Sequence, residues 1–332
     1  MTPDDEVHRI VRALVDGEPL DGVEDRGLSL AVVVVHHGEV IAEGYGIRPD
    51  TVFGPGGPVE PETPLVSWSM AKSIAHSAVG IAVADGLVDL EAPAPVPEWV
   101  GTPKEPITLE DLLTMRSGLH FVEDYVDDTA SNCLEMLFGS GAADHAAYAA
   151  ALDSDHPPGT VWNYSSGTTN IIARILGDVV GGGQEGMERF LADRLFDPLG
   201  MTTARARFDE SGTWVASSYV DASAVDFARF GELYLADGIA NGRRILPDGW
   251  VDHARHVRSI DPESGFGYGA HWWIWPDQPG SLVAQGYDGQ LIIVLPALDA
   301  VAVHLGAWSA DRRNGLVHTM RRLITAIERR SR

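Results

Sequence analysis

The chain has 332 residues, 45% of them apolar and 22% charged, the balance of a globular protein long enough to bury a large core. Its 48 acidic residues outnumber 24 basic ones, and a net charge of -24 disfavours nucleic acid and anionic membrane surfaces as partners. Cys133 is the only cysteine, which excludes an intrachain disulfide and a cysteine metal cluster.

The opening stretch, "MTPDDEVHRIVRALVDGEPL", is acidic and amphipathic, with Val7, Ile10, Val11 and Leu14 at helical spacing. It lacks the basic and apolar regions of a secretion signal, and no apolar run reaches the roughly 18 residues of a membrane span. A cytoplasmic protein is expected. "LSLAVVVVHHGEVIAEGYG" then reads as two strands turned at His37-Gly38, and residues 49–64, rich in Pro and Gly, as an irregular connection. After Ser69 comes an apolar helix that ends in turn chemistry at Asp85-Gly86.

From about residue 87 to 260 the pattern is mostly helical with long loops. Helices are expected in "TLEDLLTMRSGL", "AADHAAYAAAL", "GTTNIIARILGDVV", "GMERFLADRLFDPLGM" and "SAVDFARFGELYLADG". Thr108 followed three residues on by Asp111 is a helix start signal. After 265 strands return in "FGYGAHWWIW", "SLVAQGY", "QLIIVLPAL" and "AVAVHLGAW", and "NGLVHTMRRLITAIERR" is a closing helix. Strands at both ends with helices between them imply one sheet built from both termini. The fold class is therefore α/β (α+β): an antiparallel sheet of about five strands with flanking helices and a large helical insertion. Residues 1–68 and 261–332 would form the sheet region, residues 69–260 the helical region, and the site would lie between them.

Lys72 is out of place in this chain, which holds only two lysines, the other being Lys104. It sits inside the apolar helix, three residues after Ser69. Positions i and i+3 share a helix face, so the amine can reach the hydroxyl. Ser69 in the first turn also places backbone N–H groups and the positive end of the helix at the reacting centre. Burial beside that dipole disfavours an ammonium and suits the amine to act as a base. The four-residue pattern alone also arises by chance, and only its apolar helical setting makes it a candidate.

Tyr164, in "PPGTVWNYSSGTTNIIARIL", stands at a loop-to-helix junction beside Ser165 and Ser166. Its phenol could act as a phenolate or relay a proton near a cation, although most buried tyrosines only satisfy one hydrogen bond. In "AQGYDGQLIIVLP", residues 284–296, glycines flank a strand end, and the Gln290 N–H could serve as an oxyanion donor. The competing reading is a plain hairpin turn at Asp288-Gly289.

Ser-x-x-Lys on a helix, a downstream Tyr-x-Ser and a glycine-bounded strand near the C-terminus together resemble the serine β-lactamase and penicillin-binding-protein superfamily. The similarity is to its class C-like hydrolases, the family VIII esterases and 6-aminohexanoate-dimer hydrolases. "LEDLLTMRSGL", "LFDPLGMTTA", "DFARFGELYLADG", "ILPDGW" and "FGYGAHWW" match that group in order over roughly residues 28 to 310. The resemblance implies that Lys72 deprotonates Ser69, with Tyr164 paired to it and no metal or organic cofactor. Two departures stand out. The middle motif is Tyr164-Ser165-Ser166 instead of Tyr-x-Asn, the form that the aminohexanoate-dimer branch resembles. Tyr287-Asp288-Gly289 replaces Lys-Thr-Gly, so the cation that would hold a β-lactam carboxylate is missing.

These readings predict an acyl-enzyme on Ser69, an oxyanion hole from the N–H groups of Ser69 and Gln290, and substrate contacts at Ser166, Tyr287, Asp288 and Gly289. The substrate would be a small neutral or amine-bearing ester or amide. The alternatives are a β-lactamase, a D-amino-acid peptidase or carboxypeptidase, and a catalytically silent binding protein on the same scaffold. Loops at 118–160 and 200–220 are expected to wall the pocket, and oligomeric state is not legible. Other signals carry less. Gly181 to Gly186 matches G-x-G-x-x-G but follows a helical pattern, which favours a loop. Gly27 to Ala31 lacks the second glycine of a nucleophile elbow. His36-His37 has no ligand-spaced partner, Trp272, Trp273 and Trp275 suit a core, and Cys133 reads as a small buried apolar residue.

Overall fold

The computed structural model describes residues 2–19, 22–23, 25–50, 55–125 and 131–331. Residues 51–54 of the irregular connection and 126–130 of the 118–160 loop lie outside the described residues. Helix α1 (Pro3–Asp16) starts at Thr2, whose hydroxyl accepts the Asp5 N–H while the Asp5 carboxylate accepts the Thr2 N–H. This reciprocal cap satisfies two donors that a helix end leaves free. Strands β1 (Leu28–His36) and β2 (Glu39–Tyr45) form the hairpin at His37-Gly38, both with positive φ. Along β1, Ala31, Val33 and Val35 enter one core while Val32 and Val34 enter another. A strand with both faces buried needs such an unbroken apolar run.

Helices α2 (Met70–Ala84), α3 (Ser166–Val180) and α4 (Ala224–Leu235) lie in the middle of the chain. Six strands follow: β3 (Ser259–Ile260), β4 (Gly267–Tyr268), β5 (Trp273–Ile274), β6 (Leu282–Gly286), β7 (Gln290–Leu295) and β8 (Ala300–Ala307). Helix α5 (Arg313–Arg330) closes the fold. The sheet order is β3-β4-β5-β6-β7-β8-β1-β2, antiparallel throughout.

The sheet thus has eight strands and not five, though the fold class holds. The count rises because β3 lies outside the expected strands and because one expected strand is two short ones, β4 and β5. "FGYGAHWWIW" is split into these two by Gly269–His271, where His271 has φ 56°. On one face α1 and α5 bury Val7, Ile10, Met320 and Leu323 against the sheet. On the other lie α2 and α4, where Gly231 is required because a Cβ would stand 2.6 Å from Val301. No helix among the described residues is long and apolar enough to cross a membrane.

Candidate active site

Ser69 is the residue that opens α2, and it follows Trp68, held at φ 43°. A bulky residue in the left-handed region stores strain, a feature that concentrates at functional turns. One turn into the helix, Lys72 is buried, 1% exposed. Its Nζ lies 2.9 Å from Ser69 Oγ, 3.0 Å from Ser166 Oγ and 2.9 Å from the Ser217 carbonyl oxygen.

Tyr164 arrives from a segment laced to residues 115–121. The Asn163 N–H donates to the Met115 carbonyl at 2.8 Å, and the Asn163 amide donates to the Phe121 carbonyl at 3.0 Å. This lacing holds the Tyr164 ring with its centroid 4.9 Å from Lys72 Nζ. Burial pushes the Tyr164 phenol up, while Lys72 and hydrogen bonding with Ser69 and Lys72 pull it down, and burial prevails. That direction favours a phenol that relays a proton over a resting phenolate.

The protons around Lys72 can be assigned. Ser166 Oγ donates to Glu123 Oε1 at 2.6 Å, so its oxygen meets Lys72 as an acceptor. The Ser217 carbonyl can only accept. Nζ donates to all three oxygens as placed, so loss of the proton directed at Ser69 Oγ would turn its lone pair to that hydroxyl.

The opposite wall is the turn between β6 and β7. A Cβ on Gly286 would stand 2.4 Å from the Ser67 carbonyl oxygen, so only glycine lets this strand end approach the Ser69 turn. The Tyr287 ring packs edge-on to Trp68 at 6.0 Å and lies 5.0 Å from the Tyr125 ring. Neither the Ser69 N–H nor the Tyr287 N–H is used by a backbone hydrogen bond among the described residues. Asp288 has φ 58°, and burial pushes its carboxyl above the ordinary value.

A cavity of about 610 Å³ brings Ser69, Trp162, Tyr164, Trp273, Tyr287 and Asp288 together, with Gly289 also on its wall. Two expectations fail. Gln290 does not reach the wall; it is 2% exposed beneath the turn. Its amide donates to the Tyr287 and Gly306 carbonyls at 3.0 and 2.7 Å and accepts the Gly306 N–H at 2.9 Å. It is a brace for the turn. Ser166 is likewise not a substrate contact, because its hydroxyl is enclosed between Lys72 and Glu123. Sequence reading missed Glu123, Tyr125, the Ser217 carbonyl and Arg313. Arg313 lines the cavity and donates to Gln285 Oε1. Only the Glu-x-Tyr pair just after the expected "LLTMRSGL" helix hinted at any of them. Among the described residues no group of three His, Cys, Asp or Glu could hold a metal ion.

The chain is 27% identical over 300 residues to the 6-aminohexanoate-dimer hydrolase of Paenarthrobacter ureafaciens, covering 84% of this chain and 72% of that one. Its fold superposes with a TM-score of 0.75 on a Bacillus anthracis protein provisionally named a 6-aminohexanoate-dimer hydrolase, at 24% identity, covering 90% of this chain and 79% of that one. A family VIII carboxylesterase superposes at 0.71 with 14% identity, covering 99% of this chain and 98% of that one. The match to the family described as Beta-lactamase runs over residues 7–325. With nearly the whole length matched, the chain belongs to the Beta-lactamase family.

Proposed function

We propose that the protein is a serine hydrolase that cleaves small esters or amides through an acyl-enzyme on Ser69. One observation carries this: Lys72 Nζ, held by Ser166 Oγ and the Ser217 carbonyl, lies 2.9 Å from Ser69 Oγ, where the amine left by loss of a proton would turn its lone pair to that hydroxyl. Ser69 Oγ attacks the substrate carbonyl carbon while its proton passes to Lys72. The oxyanion is held by the N–H groups of Ser69 and Tyr287, two residues of the cavity wall whose N–H groups make no backbone hydrogen bond among the described residues. As the C–O or C–N bond breaks, Tyr164 gives its proton to the leaving group and takes one from Lys72. Water then attacks the acyl carbon, passes a proton to the same pair, and the acid leaves as Ser69 is reprotonated.

The relatives' names support ester or amide substrates, the first a 6-aminohexanoate-dimer hydrolase and the structural neighbour a family VIII carboxylesterase. The wall carries Asp288, Asp261, Glu263 and Glu123 against the single guanidinium of Arg313. Its net negative field favours neutral or amine-bearing substrates over the carboxylate of a β-lactam.

A fluorophosphonate probe should label Ser69, Ser69→Ala should abolish labelling, and p-nitrophenyl butyrate should turn over with a burst. A folded protein that the probe leaves untouched would overturn the reading. Nitrocefin turnover at ordinary β-lactamase efficiency would overturn the substrate preference.

A further inference from the structure

Glu123 lies on the cavity wall, yet both of its oxygens are taken. Oε1 accepts from Ser166 Oγ and from the Tyr125 hydroxyl, each at 2.6 Å, and Oε2 accepts the Ser166 N–H at 2.7 Å. Ser165 Oγ accepts the Thr168 N–H at 3.1 Å, so Glu123 adds to the cap of α3 through the Ser166 N–H and at the same time binds the Ser166 hydroxyl. Three donors converge on this one carboxyl group, which commits the only proton of Ser166. The Ser166 oxygen can then meet Lys72 in one way only, as an acceptor.

Burial disfavours charge on the other titratable groups facing Lys72. Burial holds His271 down to about 3 and pushes the Cys133 thiol and the Tyr164 phenol up. Around Glu123 stand Tyr125, Tyr164 and Tyr268, all pushed up by burial, so they are phenols as well. Glu123 is the carboxyl group that, among the described residues, is hydrogen-bonded to a side-chain partner of Lys72.

We infer that Glu123 is a positioning residue which, through the Ser166 hydroxyl, turns the Lys72 lone pair to Ser69 and stabilises the ammonium formed when Lys72 takes the serine proton. It serves the amine as a buried acid serves the histidine of a catalytic triad: it orients the base and offsets its charge. The inference rests on the reading of Lys72 as the base of Ser69.

The test compares the full-length protein with Glu123→Gln, Ser166→Ala and the double variant. It follows the rate of Ser69 labelling by a fluorophosphonate and kcat and KM for p-nitrophenyl butyrate, each across pH. Each single change should slow labelling and kcat by about 10² with KM within about threefold. The double variant should be no slower than the worse single one, since the two groups act as a unit. With the anion gone the amine gives up its proton more readily, so the acid limb of Glu123→Gln should move to lower pH. Glu123→Asp, which keeps the charge, should leave the limb in place and serves if the glutamine variant does not fold.

A substrate contact would instead raise KM with labelling unchanged, and a purely structural role would give additive losses with no movement of the limb. Either result overturns the inference. If Ser69→Ala abolishes labelling while Glu123→Gln labels like the parent, the inference falls and the hydrolase reading stands. If the parent itself is never labelled, both fall.

Discussion

Gly286 and the carbonyl of Ser67 touch: a methyl group at 286 would stand 2.4 Å from that oxygen. This contact sets the distance between the turn that presents Ser69 and the strand end that presents the Tyr287 N–H. Backbone on both sides leaves no flexible side chain to yield. Gly286→Ala should push the two walls apart, cut kcat by about 10² to 10³ as loss of one oxyanion donor does, and cost about 1–3 kcal/mol of stability. Steady-state kinetics beside thermal unfolding checks both; an unchanged kcat would remove Tyr287 from the oxyanion hole.

Lys72→Met keeps the length of the buried stem and removes the amine. It should lower kcat/KM about 10³-fold or more while the chain stays folded, because the loss is chemical. Circular dichroism with single-turnover acylation measures this. Retention of more than a tenth of the activity would mean another base.

Tyr164→Phe separates relay from phenolate. The phenol is pushed above its ordinary value of 10.0, so the parent should keep its activity through the alkaline range where an unperturbed tyrosine ionises. The phenylalanine variant should lose about 10² in kcat, more for amides than for activated esters, because a p-nitrophenolate leaves without help from an acid. Equal losses on both substrates would contradict leaving-group protonation.

Asp288→Asn should raise kcat/KM for esters that carry a carboxylate and lower it for amine-bearing ones, each by roughly tenfold, the scale of one partly screened charge. Burial holds the Asp288 carboxyl above 3.8. The parent's preference for amines should therefore fade as pH drops through that raised titration and return above it. A pH series of KM on paired substrates reads the effect, and a preference indifferent to both pH and the substitution would clear Asp288 of any role.

Stability should fall on the acid side. His304 is buried and held down to about 4, its Nδ1–H donating to the Gly289 carbonyl at 2.7 Å and its Nε2 accepting from Ser29 Oγ at 2.8 Å. His271 is held to about 3 and bonds to the Leu113 carbonyl at 2.7 Å. The folded state binds fewer protons than the unfolded one between the depressed values and 6.5, so stability is full above 6.5 and lost as pH falls through that window. On that scale His304 contributes about 3 kcal/mol and His271 about 5 kcal/mol. His304→Gln should be less stable at pH 7 and show a shallower decline of Tm between pH 6.5 and 4. A parallel decline in parent and variant would count against this account.

What the sequence alone determined is local. The spacing of Val7, Ile10, Val11 and Leu14 dictates α1, and Thr108 with Asp111 forms the reciprocal cap that the pattern announces. Ser69 and Lys72 meet because residues three apart on a helix share a face, whatever surrounds them. The fold class was legible because strands at both ends must pair to satisfy their backbones.

Tertiary structure alone decided the rest. Strand β3, two residues long, joins the sheet without a pattern of its own, and only the fold splits "FGYGAHWWIW" into β4 and β5. The partners that aim Lys72 lie 94 and 145 residues away, and Glu123 reaches Ser166 across 43. Spacing cannot report contacts at such separations, because helix and strand periods constrain only neighbours. The turn after β6 shows the same limit: glycines mark it in the sequence, but only packing against Ser67 decides that Tyr287 faces the cavity and that Gln290 lies beneath it.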